Sequence, residues 1–389
     1  MKPFKKAEVF TIAFSHLAHD IYSSFLAPML PLLIEKVGIS LSQAAFLDIA
    51  RRIPSLFNPL FGLMAERSNA KYFVILTPAL TAISMSFVGL APTYTVLLIL
   101  LFMAGLSAAL YHIPSPVMVK EAAGSKVGMG MSFFMVGGES ARTLGPLIIT
   151  AGISVWGLEG TYRLVPFGLL ASLLLFYRLR HFTFDARFQK KKEKGDTKRF
   201  LIRYLPFFSA MGGFILFQSA MKSALVLYLP VYLTQNGFGL WHAGISLSIL
   251  QLFGVLGTLF SGSFSDKIGR RNMLLISTVL SALFMVLFIF FYKDFLFPIL
   301  AVLGFFLLAS GPVLMASVQD LNSTMPTFAN SLYMSVNFGV SSIVVYLLGF
   351  SGDTIGLEAT YKIAAVCAFV CIPFVFMLAK TTKENEVVS

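Results

Sequence analysis

The sequence predicts an all-α polytopic membrane protein with twelve transmembrane helices in two six-helix bundles. Three observations predict it. The 389 residues are 57% hydrophobic and only 12% charged, against roughly 25% charged in a soluble domain, so water is not the main solvent for this surface. Apolar runs long enough to cross a hydrocarbon core of about 30 Å recur along the whole chain. One long basic segment divides the chain near its midpoint, with ten of the 30 Lys and Arg residues falling between Arg178 and Arg203.

Span 1 (8–34) follows Lys2, Lys5 and Lys6 and carries His16, His19, Asp20, Pro28 and Pro31. Those titratable residues, and the lack of a small-residue cleavage pattern, make it a permanent span rather than a removable leader. Span 2 (42–65) holds Asp48, Arg51, Arg52, Pro54 and Pro59, and span 3 covers 72–91. Span 4 (95–119) contains His112, Pro114 and Pro116; span 5 (127–151) contains Glu139, Arg142, Gly145 and Pro146; span 6 runs over 160–179. The Pro and Gly-Pro positions read as bends whose freed backbone groups find partners inside a bundle. A basic linker (181–200) separates the N-terminal half (1–180) from the C-terminal half (201–389). Spans 7 to 12 follow at 201–233, 242–264, 272–292, 296–319, 327–350 and 358–379.

Charge sets the topology. With the linker in the cytoplasm, the outside loops hold only Lys36, Arg163, Lys293 and Lys362, and the spans hold Arg51, Arg52, Arg142 and Lys222. The rest of the 30 Lys and Arg residues fall in segments assigned to the inside, the bias expected of a multi-pass membrane protein with both termini cytoplasmic. The net charge of +12 is therefore a topology signal and not a nucleic-acid footprint. Cys367 and Cys371 lie one helical turn apart, a poor geometry for a disulfide and too few ligands for a metal. Runs of 20 or more apolar residues also argue against a β-barrel, which uses short alternating strands.

The clearest local motif follows span 8: Gly262-Ser263-Phe264-Ser265-Asp266-Lys267-Ile268-Gly269-Arg270-Arg271. It reads as a tight helix-loop-helix turn, with Asp266 placed to accept hydrogen bonds near a helix start. A weaker copy, Gly62-Leu63-Met64-Ala65-Glu66-Arg67, follows span 2. The paired loops, the span count and the central linker resemble the major facilitator superfamily. That resemblance implies two six-helix bundles around a cavity that opens alternately to either side. It also implies conformational roles for Gly62, Glu66, Arg67, Gly262, Asp266, Gly269, Arg270 and Arg271. Within the superfamily the first half is similar to the fosmidomycin resistance protein group of efflux transporters. The residues that carry this similarity are His16-Leu17 and Asp20, Tyr111-His112-Ile113-Pro114, and Gly137 through Pro146. Relatives usually have an aromatic-His-Pro arrangement without Ile113, asparagine in place of Glu139 and a small residue in place of Arg142. The latter two departures add charge to the expected cavity.

An ionisable residue inside a span is costly unless it faces protein, water or a partner. Asp48 precedes Arg51 by three and Arg52 by four, and Glu139 precedes Arg142 by three, so each set shares a helix face. Two readings stay open. The pairs lock helix positions, or an arginine fork takes a phosphate, phosphonate or carboxylate while its carboxylate responds. Lys222 is the substrate candidate of the second half, joining the two halves through an anionic group. Asp20 with His16 and His19 is the candidate proton-responsive cluster, and His112 is either a structural imidazole or a ligand. Asp320 is expected to steady a gate or loop, with Gly145 and Pro146 as a hinge.

No adjacent nucleophile and base, metal cluster or phosphate cradle supports an enzyme, and no carbonyl filter or charged ring supports a channel. The expected function is proton-coupled export of a small anionic or amphipathic solute. The alternative is a proton-coupled importer of the same fold. No cofactor is expected beyond the coupling proton, and the partners expected are the solute and membrane lipid, with the chain acting as a monomer.

Overall fold

The computed structural model describes residues 3–58, 61, 71–124, 126–182, 197–321 and 326–378. Gly62, Glu66 and Arg67, and the centre of the basic linker (183–196), lie outside the described residues.

Every described element is helical. The first crossing is two helices, α1 (Lys6–Ser23) and α2 (Leu26–Val37), interrupted at Ser24 and Phe25; α2 stops at Gly38, whose φ of 69° is the left-handed stop that glycine accepts. α3 (Leu41–Arg52) starts on a capping box: Ser40 Oγ accepts from Gln43 N at 3.2 Å and Gln43 Oε1 accepts from Ser40 N at 2.9 Å. Pro54 removes a backbone donor there, and the chain continues as a 3₁₀ turn, Ile53–Phe57. α4 (Lys71–Ser86) is followed by α5 (Tyr94–His112), capped by Thr93 Oγ1 on Val96 N at 3.4 Å, and Pro114 separates α5 from α6 (Ser115–Ala123). α7 (Val127–Trp156) is a single helix of 30 residues that passes through Pro146 unbroken, and a 3₁₀ turn over Glu159–Leu164 leads into α8 (Val165–Leu179).

The second half comprises α9 (Thr197–Val226), α10 (Leu229–Gln235), α11 (Leu240–Ile268), α12 (Arg270–Gln319) and α13 (Pro326–Val370), with helix also over 372–378. Among the described residues, eight helical stretches are long and apolar enough to cross a membrane. The two longest, of 50 and 51 residues, exceed one crossing and kink at Phe295 and Gly356, whose backbones leave the helical region. Each is a pair of crossings. α7, with Glu139 and Arg142 in its middle, is a further helix of crossing length whose charges lower its hydropathy.

Two compact units result: residues 1–189 with 233–248, and residues 190–232 with 249–389. In the first, α1 lies along α7, and α4 packs on α5 and α8 around Val9, Ile12, Tyr111, Val119 and Leu175. In the second, α13 packs on α9 and α12 around Phe207, Met211, Phe214, Val313 and Val375. Lipid is as apolar as these side chains, so close packing rather than water exclusion holds crossings together, and small residues mark the contacts. Gly105 of α5 sits against the Arg51 carbonyl of α3, and Gly304 of α12 against the Leu250 carbonyl of α11, each so closely that a Cβ would overlap the carbonyl oxygen. These are the second and fourth crossings of each half, so the same contact is built twice.

Candidate functional site

The buried ionisable residues of α1 meet His112 of α5. α1 approaches α7 because Gly137 and Gly138 offer no side chain: a Cβ on Gly138 would fall on the His16 ring. His16 then stacks on Phe134 with centroids 4.0 Å apart, and its Nδ1 lies 2.8 Å from the Phe134 carbonyl oxygen. His19 stacks on Tyr111 at 4.5 Å, and Tyr111 OH lies 2.7 Å from Ser15 Oγ. Asp20 is the centre: Oδ2 is 3.3 Å from His16 Nε2, and Oδ1 is 2.8 Å from His19 Nδ1 and 3.4 Å from His112 Nε2.

Hydrogen counting gives this arrangement its chemistry. A carbonyl only accepts, so His16 Nδ1 carries a hydrogen. When that ring is neutral, Nε2 presents a lone pair to Asp20 Oδ2, and two lone pairs repel. The contact is attractive only with one proton in it, held by the imidazole or by the carboxyl. His19 is buried, its Nε2 has no hydrogen-bond partner among the described residues, and its Nδ1 faces Asp20. A donor there satisfies one carboxylate oxygen and leaves a bare acceptor behind. The His112 side chain is 44% exposed, which makes it the open member of an otherwise buried cluster. His16, Asp20 and His112 also bring one ligand atom each within 4.8 Å of one another, a grouping with metal-ligand spacing that the sequence reading, which expected no metal cluster, did not contain; the Nδ1 contact of His16 to a carbonyl leaves its Nε2 lone pair available.

A second charged group lies one step further along α1. Asp48 Oδ1 accepts from Arg51 Nη2 at 2.9 Å, and Oδ2 faces Arg52 Nη2 at 2.7 Å. Arg51 Nη1 also donates to the Ser23 carbonyl at 3.0 Å, and Ser24 Oγ donates to the Asp20 carbonyl at 3.0 Å. The end of α1 thus joins both charged groups. On α7, Arg142 Nη1 reaches both Glu139 oxygens, at 3.1 and 3.2 Å. All three groups belong to the first unit; in the second, Lys222 is an exposed residue of α9, and Gln218 donates to the Leu307 carbonyl at 3.4 Å and to Ser310.

The Major Facilitator Superfamily model matches residues 12–320 and 243–388. The chain belongs to that superfamily. Among relatives of the Major Facilitator Superfamily, the fosmidomycin resistance protein of Escherichia coli (strain K12) is 24% identical over 383 residues, covering 96% of this chain and 92% of the relative. The multi-drug resistance efflux pump PmrA of Streptococcus pneumoniae serotype 4 is 22% identical over 384 residues, covering 94% of each. A solved structure of a bacterial homolog to the human lysosomal transporter Spinster, inward-facing and unoccupied, matches with a TM-score of 0.80 at 14% identity, covering 99% of each chain. This chain is accordingly a multi-pass membrane transporter and not an enzyme.

The superfamily loop after α11 is described in the second half. Gly269, with φ 89°, makes the turn, and α12 starts without a side-chain cap. Asp266 lies in the last turn of α11, so the expected helix-start role is replaced by an ion pair with Arg270 Nη1 at 2.5 Å. Arg270 Nε also reaches Asp320 Oδ2 at 2.9 Å, at the far end of α12, while Arg271 lies over the Phe376 ring at 4.7 Å. Gly262 has open space around it. Gly145 serves close packing against Ile21 and Ser24 of α1, and the helix continues through it and Pro146, so neither breaks α7. The sequence reading missed Ser15 and Tyr111 as supports of the cluster. It also missed the Phe134 and Ser23 carbonyls, which leave no trace in residue type.

Proposed function

We propose that the protein is a proton-coupled exporter of a small anionic or amphipathic solute, with Asp20, His16, His19 and His112 as its proton-responsive centre. The observation that carries this reading is the single proton required between His16 Nε2 and Asp20 Oδ2 once His16 Nδ1 is committed to Phe134. A centre that must gain or lose one proton to change its contacts is what coupling needs. The charged groups around it are the imidazoles of α1, His112 beside Tyr111 on α5, Glu139 next to Gly138 on α7, and Arg51 of α3 on the Ser23 carbonyl. α4 and α8 also pack on α1, and they carry Lys71, Arg178 and Arg180 at their ends.

Arg52 and Arg142 are the anion-binding candidates, because each has an exposed guanidinium whose partner is an acid on its own helix. Each acid is held through a single guanidinium nitrogen, so a phosphonate, phosphate or carboxylate that takes the whole fork with paired hydrogen bonds can replace it. Export follows the two relatives named for drug resistance and efflux. The protein works as a monomer in a bacterial cytoplasmic membrane, with both termini in the cytoplasm. The test is flux in proteoliposomes of fosmidomycin, phosphorylated metabolites, organic acids and cationic drugs under an imposed proton gradient. Saturable flux of an anion that follows the gradient supports the reading, and gradient-insensitive flux ends the coupling proposal.

A further inference from the structure

A groove of about 500 Å³ runs along the first unit between α1, α7 and α8, away from the charged cluster. Its walls are apolar: Phe14 and Ile21 from α1, Val155 and Trp156 from α7, Phe167 from α8, with Gly152 at the floor. Tyr22 is the polar exception, and its hydroxyl is already used, donating to the Leu164 carbonyl at 2.8 Å. Nothing in the groove asks for a polar ligand. Phe14, Val155 and Phe167 are exposed, and on a membrane-spanning bundle such residues face acyl chains. The volume falls within the roughly 300–1,000 Å³ of small-molecule sites.

One end of the groove is different in kind. Trp156 closes it, and the Arg163 guanidinium lies 6.0 Å from the Trp156 ring and 5.8 Å from the Tyr162 ring. Trp and Tyr gather at the level of lipid headgroups. Arg163 is exposed and makes no ion pair among the described residues, while the nearby carboxylate of Glu159 is held by Lys36 Nζ at 2.6 Å. A cation that makes no ion pair among the described residues, at the aromatic end of an apolar groove, is complementary to a phosphate with a hydrocarbon chain below it.

We infer that this groove is a binding site for an anionic phospholipid, one acyl chain lying between α1, α7 and α8 and the phosphate at Arg163. A basic residue near the membrane surface favours an anionic over a zwitterionic lipid by about fivefold. The chain has two tryptophans, so Trp241→Phe leaves Trp156 as the reporter. This protein is reconstituted in phosphatidylcholine vesicles containing a matched series of mole fractions of chain-brominated phosphatidylglycerol or of chain-brominated phosphatidylcholine. The expected result is quenching of Trp156 by the brominated anionic lipid at about one fifth of the mole fraction that the zwitterionic lipid requires. Arg163→Gln, a change at an exposed side chain, makes the two lipids equal, and Gly152→Phe fills the groove and weakens quenching by both. Equal quenching in the Trp241→Phe protein, or an anionic preference that survives Arg163→Gln, overturns the site.

Discussion

Asp48→Asn removes the charge that two arginines share, and the structure separates their shares. The Asp48 side chain is 3% exposed, Arg51 is 25% exposed and Arg52 is 45% exposed. Distance alone favours Arg52, at 2.7 Å against 2.9 Å. Exposure decides otherwise. Removing one partner of a buried pair costs about 3–5 kcal/mol, whereas exposed pairs contribute about 0–1 kcal/mol. Arg51 stands nearer the first limit, with a buried Nε that has no partner among the described residues and a second bond fixed on Ser23. The expected coupling energies are about 2 kcal/mol for Asp48 with Arg51 and about 0.5 kcal/mol for Asp48 with Arg52. Double-mutant cycles combining Asp48→Asn with Arg51→Gln or Arg52→Gln, followed by equilibrium unfolding in mixed micelles, measure both. An Arg52 coupling equal to or above that of Arg51 refutes the reasoning and takes with it the idea that Arg52 is free to exchange its acid for a substrate anion.

Arg142→Gln is expected to weaken binding of an anionic solute by about tenfold, the loss of one charge-assisted contact, with folded yield unchanged; unchanged affinity in equilibrium binding returns Arg142 to pairing with Glu139. Gly105→Ala and Gly304→Ala each push a methyl onto a backbone carbonyl and are expected to cost about 1–3 kcal/mol, read as lower unfolding midpoints; if only one does, the two halves are not built on the same contact. Arg270→Lys is expected to fail to replace Arg270, since a lysine has no fork to span Asp266 and Asp320; transport equal to wild type shows that the fork is not used.

The local part of this molecule was legible and the distant part was not. Apolar run length was enough for the crossings, because a helix needs a fixed number of residues to span a bilayer. The pairs Asp48 with Arg51 and Glu139 with Arg142 were legible because a helix repeats every 3.6 residues and brings neighbours of this spacing together. Periodicity says which face a residue occupies and nothing about which helix lies opposite. Asp20 and His112, 92 positions apart, were therefore separate candidates until packing joined them, and so were Arg270 and Asp320. Backbone acceptors such as Phe134 and Ser23 are invisible to a reading by residue type. Asp266 was misplaced because a glycine-flanked loop motif does not reveal which residue ends the first helix; here α11 runs on to Ile268.

The proton centre at Asp20 is the claim on which the functional account rests. Its most direct test compares wild type and Asp20→Asn in proteoliposomes, using whichever solute the flux screen identifies. Gradient-driven accumulation is measured beside exchange of labelled for unlabelled solute without a gradient. The expected result is loss of accumulation in Asp20→Asn with exchange retained, because the carrier still cycles but no longer carries a proton. Accumulation that follows the proton gradient equally in both proteins contradicts the account.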